Sequence, residues 1–418
     1  MNGKFELSEQ ITNNILKEEQ NAFIIEHNLS VDYSHSGKSF NFFVQECIQD
    51  GRLKKYELDE FLFESLFYGY QRETYIYKIG NYQHKSLKTE PFLEAIQREY
   101  AYVNDCMFNE ITSRASYEEE LVAIKVSYSK DLKRIVKVRL IFKRGISVIT
   151  KGGVVKTLSY IPIEWDVAKG SVVIKISPKR RLYDKSLKPE YLNKHFFEIL
   201  KGLFDLVKIP YGNIHKEAIC EMSKELYNQI YQKMVITKPI GLDEFVEDIA
   251  NSLKEKLGIE ALELKATINN IFNVKDSLQK QVENILISDI LLDVEQGASL
   301  EGIEGVVTYL KFSDGKKISA RLKGKECRDP IFDSESYMAL RSAIENARQT
   351  SRLGIVWLKQ FDRLRICYDA TDAECLNIHF YKNLKKEEFE YGLQMYEKFE
   401  RRRDERSIKP LKLEARAQ

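Results

Sequence analysis

Near residue 121 the hydrophobic pattern changes its period, and that change constrains the fold more than any other feature of the chain. Upstream, apolar residues recur at helical spacing. From 121 to 177 they alternate. In Val136-Lys137-Val138-Arg139-Leu140-Ile141-Phe142-Lys143 the even positions are apolar and most odd ones are basic, and Val172, Ile174 and Ile176 repeat the pattern around Lys175. Successive side chains of a strand point to opposite faces, so this alternation implies a sheet with one buried and one wet face. Lys151-Gly152-Gly153 and Ala168-Lys169-Gly170 supply turns between strands. An antiparallel meander follows as the expectation.

Around this sheet the pattern is helical. In Ser39–Gln49, Phe40, Phe43, Val44 and Cys47 fall on one face, and Asp50-Gly51 offers a stop. A second helix carries Leu58, Phe61, Leu62, Leu66 and Phe67 inward. Between 190 and 300, Leu200, Leu203, Phe204 and Val207 mark one helix and Phe245, Ile249, Leu253 and Leu257 another; a third runs from about Ala266 to Val294. Further on, Ser313-Asp314-Gly315 between two β-patterned runs is a tight-turn signal. A helix over Ser334–Arg352 follows, then strands at Leu364–Tyr368 and Leu376–Phe380, and a last helix burying Phe389, Leu393, Tyr396 and Phe399. The predicted fold class is α+β and multidomain. Residues 1–118 form a helical N-terminal region, 119–190 the basic antiparallel sheet, 191–300 a helical middle, 301–406 a ββαββα C-terminal domain, and 407–418 a loose tail.

Charge is distributed unevenly. The chain has 65 Lys+Arg and 63 Asp+Glu, a net of +2, yet Lys125–Lys188 holds 17 basic and 4 acidic residues. That stretch is +13 and everything else is −11. Lys133, Arg134, Lys137, Arg139, Lys143 and Arg144 gather on one strand and its turn; Lys175, Lys179, Arg180 and Arg181 end another. Such a row on a pleated face matches the phosphate backbone of DNA or RNA, and binding about six phosphates would give a log–log salt slope near −5. Tyr160, Trp165 and Tyr183 could stack on bases if exposed. The competing reading is that the face docks on acidic groups, either a partner's or the chain's own, with Glu118-Glu119-Glu120 and the cluster Asp243, Glu244, Glu247, Asp248 as candidates. Arg341, Arg348 and Arg352, with the basic residues of the 316–325 hairpin, make a smaller patch that reads as a solvated helix face.

Motifs for catalysis are weak. Ser36-Gly37-Lys38-Ser39 resembles the end of a phosphate loop, but Asp32 stands where its first glycine belongs. Glu46–Glu57 imitates a calcium loop with Ile48 and Lys54 at ligand positions. Both read better as helix boundaries. His27, His35, His84, His195, His215 and His379 form no metal-binding spacing, and no Gly-x-Ser-x-Gly elbow occurs. Asp369, Asp372 and Glu374 could chelate a metal, although a polar turn explains them more simply.

The six cysteines are widely spaced, with no Cys-x-x-Cys pair. No secretory leader or membrane span is read, so the expected setting is the cytoplasm, with reduced thiols and no cofactor. The leading expectation is a non-catalytic nucleic-acid-binding subunit of a larger bacterial-type assembly. One alternative is a protein-interaction scaffold whose basic sheet docks an acidic partner, with self-association compatible. The other is a metal-dependent nuclease, for which antiviral defence would be a fitting role.

Overall fold

The alternating stretch folds as read, but it is joined by strands that the periodicity hides. In a computed structural model, residues 6–80, 89–100, 116–130, 134–179, 181–258, 274–295, 302–313, 319–325, 328–332, 334–358 and 363–414 are described. The chain divides into two compact units: Met1–Gly212 with Asp372–Leu393, and Asn213–Thr371 with Gln394–Gln418.

The first unit opens with helices α1 (Glu9–Thr12), α2 (Lys17–Glu26), α3 (Ser30–Ser36), α4 (Phe40–Gln49) and α5 (Lys55–Phe67). Strand β1 (Glu73–Gly80) and helix α6 (Thr89–Tyr100) precede the meander of β2 (Glu120–Tyr128), β3 (Ile135–Thr150), β4 (Gly153–Asp166) and β5 (Ser171–Ile176). Helix α7 (Pro189–Phe204) and the short β6 (Val207–Lys208) follow. The second unit holds helices α8 (Gly212–Thr237, from Asn213), α9 (Leu242–Leu257) and α10 (Val274–Glu295), strands β7 (Gly305–Ser313) and β8 (Ser319–Lys323), helix α11 (Glu335–Asn346), and strands β9 (Gln349–Trp357) and β10 (Leu364–Asp369). The chain then supplies the first unit with β11 (Cys375–Phe380) and the start of helix α12 (Lys386–Glu414).

In the first unit the strand order is β2-β3-β4-β5-β1-β11, with β6 on the end of β1; in the second it is β10-β9-β7-β8. The pairings within each unit are antiparallel. Strand β1 was absent from the sequence reading. It lies between β5 (Tyr75 opposite Ile174) and β11 (Tyr75 opposite Asn377). Most of its side chains are buried, so Glu73-Thr-Tyr-Ile-Tyr-Lys-Ile-Gly shows no polar alternation. The division into units therefore cuts across 301–406, because Cys375–Phe380 pairs with β1.

Two boundaries differ in the second unit. The helix read over Ser334–Arg352 ends at Asn346, and Gln349–Trp357 is a strand, so the C-terminal stretch runs ββαβββα. The arginine spacing imitated a helix face across that junction. The Asp314-Gly315 turn lies outside the described residues, but β7 and β8 pair up to Ser313 opposite Ser319. On α9, Val246 and Ala250 are buried, Ile249 and Leu253 are half-buried and Phe245 is exposed, so the buried stripe is rotated from the one read. Beyond Arg406 the helix continues past Pro410 to Glu414, where a loose tail was expected; the charged run Arg401–Arg406 is built of good helix formers, Asp404 excepted.

One face of the first unit's sheet packs on α6 and α7. Its core includes Leu140, Phe142, Ile161, Ile163, Trp165 and Ile174 with Phe196, Phe197 and Leu200. The opposite face, read as wet, lies under α5: the rings of Phe63 and Phe67 sit against Arg139, Lys125 and Lys175. The sheet is thus covered on both sides over this region. The thiols of Cys47, Cys220, Cys367 and Cys375 are buried and take part in no disulfide. Among the described residues no helix is long and apolar enough to cross a membrane.

Candidate interaction surface

A buried charge is tolerated when a counter-charge and hydrogen bonds replace its water. The basic row meets that condition inside the chain. Arg139 Nη1 donates to Glu64 Oε1 at 2.7 Å, and its guanidinium lies over Phe63 and Phe67. Lys125 reaches Glu60 at 2.5 Å. Lys137 pairs with Glu164 at 2.9 Å and lies 3.9 Å from Asp166. Lys143 is fully buried and pairs with Glu120 at 3.0 Å; Arg144 pairs with Glu119 at 3.0 Å, and His195 Nε2 reaches the same carboxylate at 2.8 Å. The competing reading had named Glu119 and Glu120. It missed Glu60 and Glu64. These sit four apart on α5 beside the inward rings of Phe63 and Phe67, so one helix brings both aromatic cover and negative charge. Glu64 has its carboxyl held below the usual range: burial pushes it up, but Arg139 and Lys386 together outweigh that.

Lys175 is a different case. It is buried in a box of rings, with Nζ 4.0 Å from the centroid of Phe67, 3.9 Å from Tyr68 and 3.7 Å from Phe389, and it reaches the Phe67 carbonyl at 3.4 Å. Ring faces attract a cation but replace only part of its hydration. Burial drives the Lys175 pKa well below the ordinary lysine range, and Glu164 pulls it back only in part. Lys179 is half-buried, with Asn14 Oδ1 at 3.4 Å, and burial lowers its pKa too. Of the remaining residues singled out by sequence, Arg134 is exposed at the β2–β3 turn and Arg181 is exposed with a positive φ of 58°. Lys133 and Arg180 lie outside the described residues. Among the aromatic candidates, Tyr160 and Trp165 are in the core and Tyr183 is exposed.

The ladder of β3 and β4 runs on well past this covered region. Strand β2 stops pairing at Glu120 opposite Lys143, whereas β3 and β4 continue through Val148 opposite Val155 to Thr150 opposite Gly153. Gly152-Gly153 makes the turn, with Gly153 at φ 117°. On the β3 side, residues 181–183 support this extension: Ile149 N donates to Arg181 O at 2.8 Å and Tyr183 N to Ser147 O at 3.0 Å. On the β4 side, pairing with β5 is confined to Ile163–Asp166. The extension forms an arm. Ile149 and Val154, opposite one another in the ladder, are 45% and 53% exposed, an unusual state for β-branched residues, and Tyr183 is 66% exposed; Val155, 48% exposed, pairs with Val148 on the other face. Lys151, Lys156, Arg181 and Lys185 are exposed around them. No Asp or Glu occurs between Asp131 and Glu164. The arm therefore presents an apolar centre with a positive rim.

The other candidates resolve into local structure. Gly37 closes α3 at φ 62°, Lys38 pairs with Glu46 at 2.7 Å, and Ser39 precedes α4. Asp50 pairs with Arg52 at 3.1 Å, and the Glu57 carboxylate accepts the Lys54 N–H at the start of α5. Asp369 pairs with Arg352 at 3.3 Å; in the first unit, Asp372 pairs with Lys194 at 3.2 Å and Glu374 with Lys208 at 3.0 Å. Among the described residues no group of three or more His, Cys, Asp or Glu could hold a metal. Arg341 is buried rather than solvated, bonded to Glu283 at 3.0 Å and Glu345 at 2.8 Å. His379 pairs with Glu73 at 2.6 Å, and His215 meets the Tyr396 hydroxyl at 2.5 Å.

A scan against protein-family models finds no match, and a search of curated proteins finds none.

Proposed function

We propose that this chain is a non-catalytic subunit of a larger cytoplasmic protein assembly, and that the β3–β4 arm is its docking element for an acidic protein surface with an apolar centre. The observation that carries this reading is the arrangement of the arm. Ile149 stands opposite Val154 in the ladder, and the cations Lys151 and Lys156 flank them. Protein interfaces have this composition, with charge depleted at the centre and polar groups at the rim. A reducing compartment suits the buried thiols.

Binding of DNA or RNA through phosphate is the second reading. It is favoured by the exposed Arg134, Lys151, Lys156 and Arg181 and by the exposed ring of Tyr183. The earlier candidates Lys137, Arg139, Lys143 and Arg144 are already committed to carboxylates, so about four phosphate contacts remain, with a log–log salt slope near −4 on duplex DNA.

A photo-cross-linking residue in place of Val154 tests the two together in living cells. The protein reading expects an adduct that survives nuclease, is destroyed by protease, and is lost when Lys151 and Lys156 are changed to Glu. A nuclease-sensitive adduct would transfer the arm to the second reading. An arm that cross-links to nothing would remove both.

A further inference from the structure

The complement to the arm is present on the chain itself. Helices α9 and α10 pack side by side, with Lys275 bonded to Glu247 at 3.0 Å and Gln279 to Asp243 at 2.9 Å. Over 242–258 and 274–295 they carry ten carboxylates and four lysines. On α9, Glu244, Asp248 and Glu255 are exposed and spaced four and seven apart, so they share one helix face. Beside them Phe245 is 62% exposed, and the approach to α9 exposes Ile236 and Ile240. On α10, Ile285, Asp289 and Leu292 repeat the mixture of exposed apolar and acidic groups. This surface has an apolar component and negative charge. The arm has an apolar centre and positive charge, with Lys151, Lys156, Arg181, Lys185 and Lys188 against the single acid Asp184 over 145–158 and 181–188.

We propose that the arm of one copy docks on the α9–α10 surface of a second copy. The inference rests on the reading of the arm as a protein-docking element and names its partner. Charge selects this pairing over arm-to-arm contact. Two arms meeting along their open β4 edges would bring together two edges that carry Lys156 and no acidic residue, and lysine on an edge strand opposes such pairing. Two α9–α10 surfaces would oppose carboxylates. Arm against helix pair places opposite signs at the rim and apolar groups at the centre. Because the two patches differ, the contact is head-to-tail, and repeated copies form a ring or an open chain.

The pairing is testable by charge exchange in sedimentation velocity, at low salt and at about 0.15 M salt, where screening acts beyond about 8 Å. Wild type is expected to form dimers and longer species that shrink as salt rises. K151E/K156E and E244K/D248K should each associate at least about tenfold more weakly while melting at the wild-type temperature. An equimolar mixture of the two variants should recover association, because the unchanged arm of one meets the unchanged acidic surface of the other and the two reversed patches are likewise opposite in charge. A chain with all four changes should associate with itself again. Wild type that stays monomeric at low salt, or association untouched by either reversal, would overturn the proposal. If wild type is monomeric but the Val154 adduct still contains another polypeptide, the second copy is eliminated and the docking role of the arm stands. Monomer with no adduct eliminates both.

Discussion

The near and far halves of the β3–β4 ladder are made of the same residue types and meet opposite fates. Lys137, Arg139, Lys143 and Arg144 occupy the near half and are all matched to carboxylates, three of them half-buried and Lys143 wholly buried. Lys151 and Lys156 occupy the far half and stand in water beside exposed Ile149 and Val154. The local backbone is equally regular in both. What differs is whether a second element crosses the face. A basic run in sequence is thus a statement about how many counter-charges the fold must find, and only the residue left over is available to a partner.

The largest effect should come from reversing charge in the near half. Lys137→Glu with Arg139→Glu would set two new carboxylates against Glu64, Glu164 and Asp166. Removing one partner from a buried pair costs about 3–5 kcal/mol, and reversal adds repulsion, so a loss above about 4 kcal/mol is expected in urea unfolding. A loss under about 1 kcal/mol, the range of exposed pairs, would mean that the two halves do not differ in the way described.

Glu19 sharpens the contrast by showing a carboxyl buried without a matched cation. Burial raises its pKa from 4.5 to about 7, more than the hydrogen bond with Ser65 offsets. Glu64 is also half-buried but is held low by Arg139 and Lys386. For Glu19 the folded pKa exceeds the unfolded one. Its favourable contribution is complete below pH 4.5 and disappears as pH rises through about 7. Glu19→Gln should therefore gain on wild type as pH increases, reaching about 3 kcal/mol above neutrality and vanishing in acid. Stability curves that stay parallel across this range would remove the desolvation argument.

How far the sequence could show this division depends on the range of each interaction. The turn at Gly152-Gly153, the alternation on β3, and the inward faces of α4 and α5 arise from neighbours in the chain, and all were legible. Strand β1 was not, because burial on both faces erased the alternation that identifies a half-wet strand. Strand β9 was hidden by the spacing of Arg341, Arg348 and Arg352. The pairing of Arg139 with Glu64 spans 75 residues, and that of Lys125 with Glu60 spans 65. No local pattern reports such matches. The arm was visible as a hairpin, but its exposure followed only from where β2 and β5 stop.

Lys175 offers a smaller effect of the opposite sign to the reversal. Methionine fills similar volume among Phe67, Tyr68 and Phe389 without a charge to desolvate, and replacing buried ions with apolar groups is often stabilising by about 1–4 kcal/mol. Burial lowers the folded pKa of Lys175, so the unfolded chain holds the extra proton and wild-type stability rises with pH toward the ordinary lysine range. The gain from Lys175→Met, about 2 kcal/mol at neutral pH, should shrink near pH 10. Destabilisation at both pH values would show that the ring box is worth more as a cation site than its desolvation costs.

The smallest effect on stability belongs to the far half, and it is the control that gives the others meaning. Lys151→Ala with Lys156→Ala removes two exposed ammonium groups, one of them 5.9 Å from the ring of Tyr117, and surface substitutions usually stay within about 0.5 kcal/mol. The expected urea midpoint is that of wild type, with an unchanged slope. A clear destabilisation would mean that these lysines are spoken for within the fold, as Lys143 is, and the arm would lose its positive rim as a docking feature. An unchanged midpoint together with weaker association would separate folding charge from binding charge on a single pair of strands.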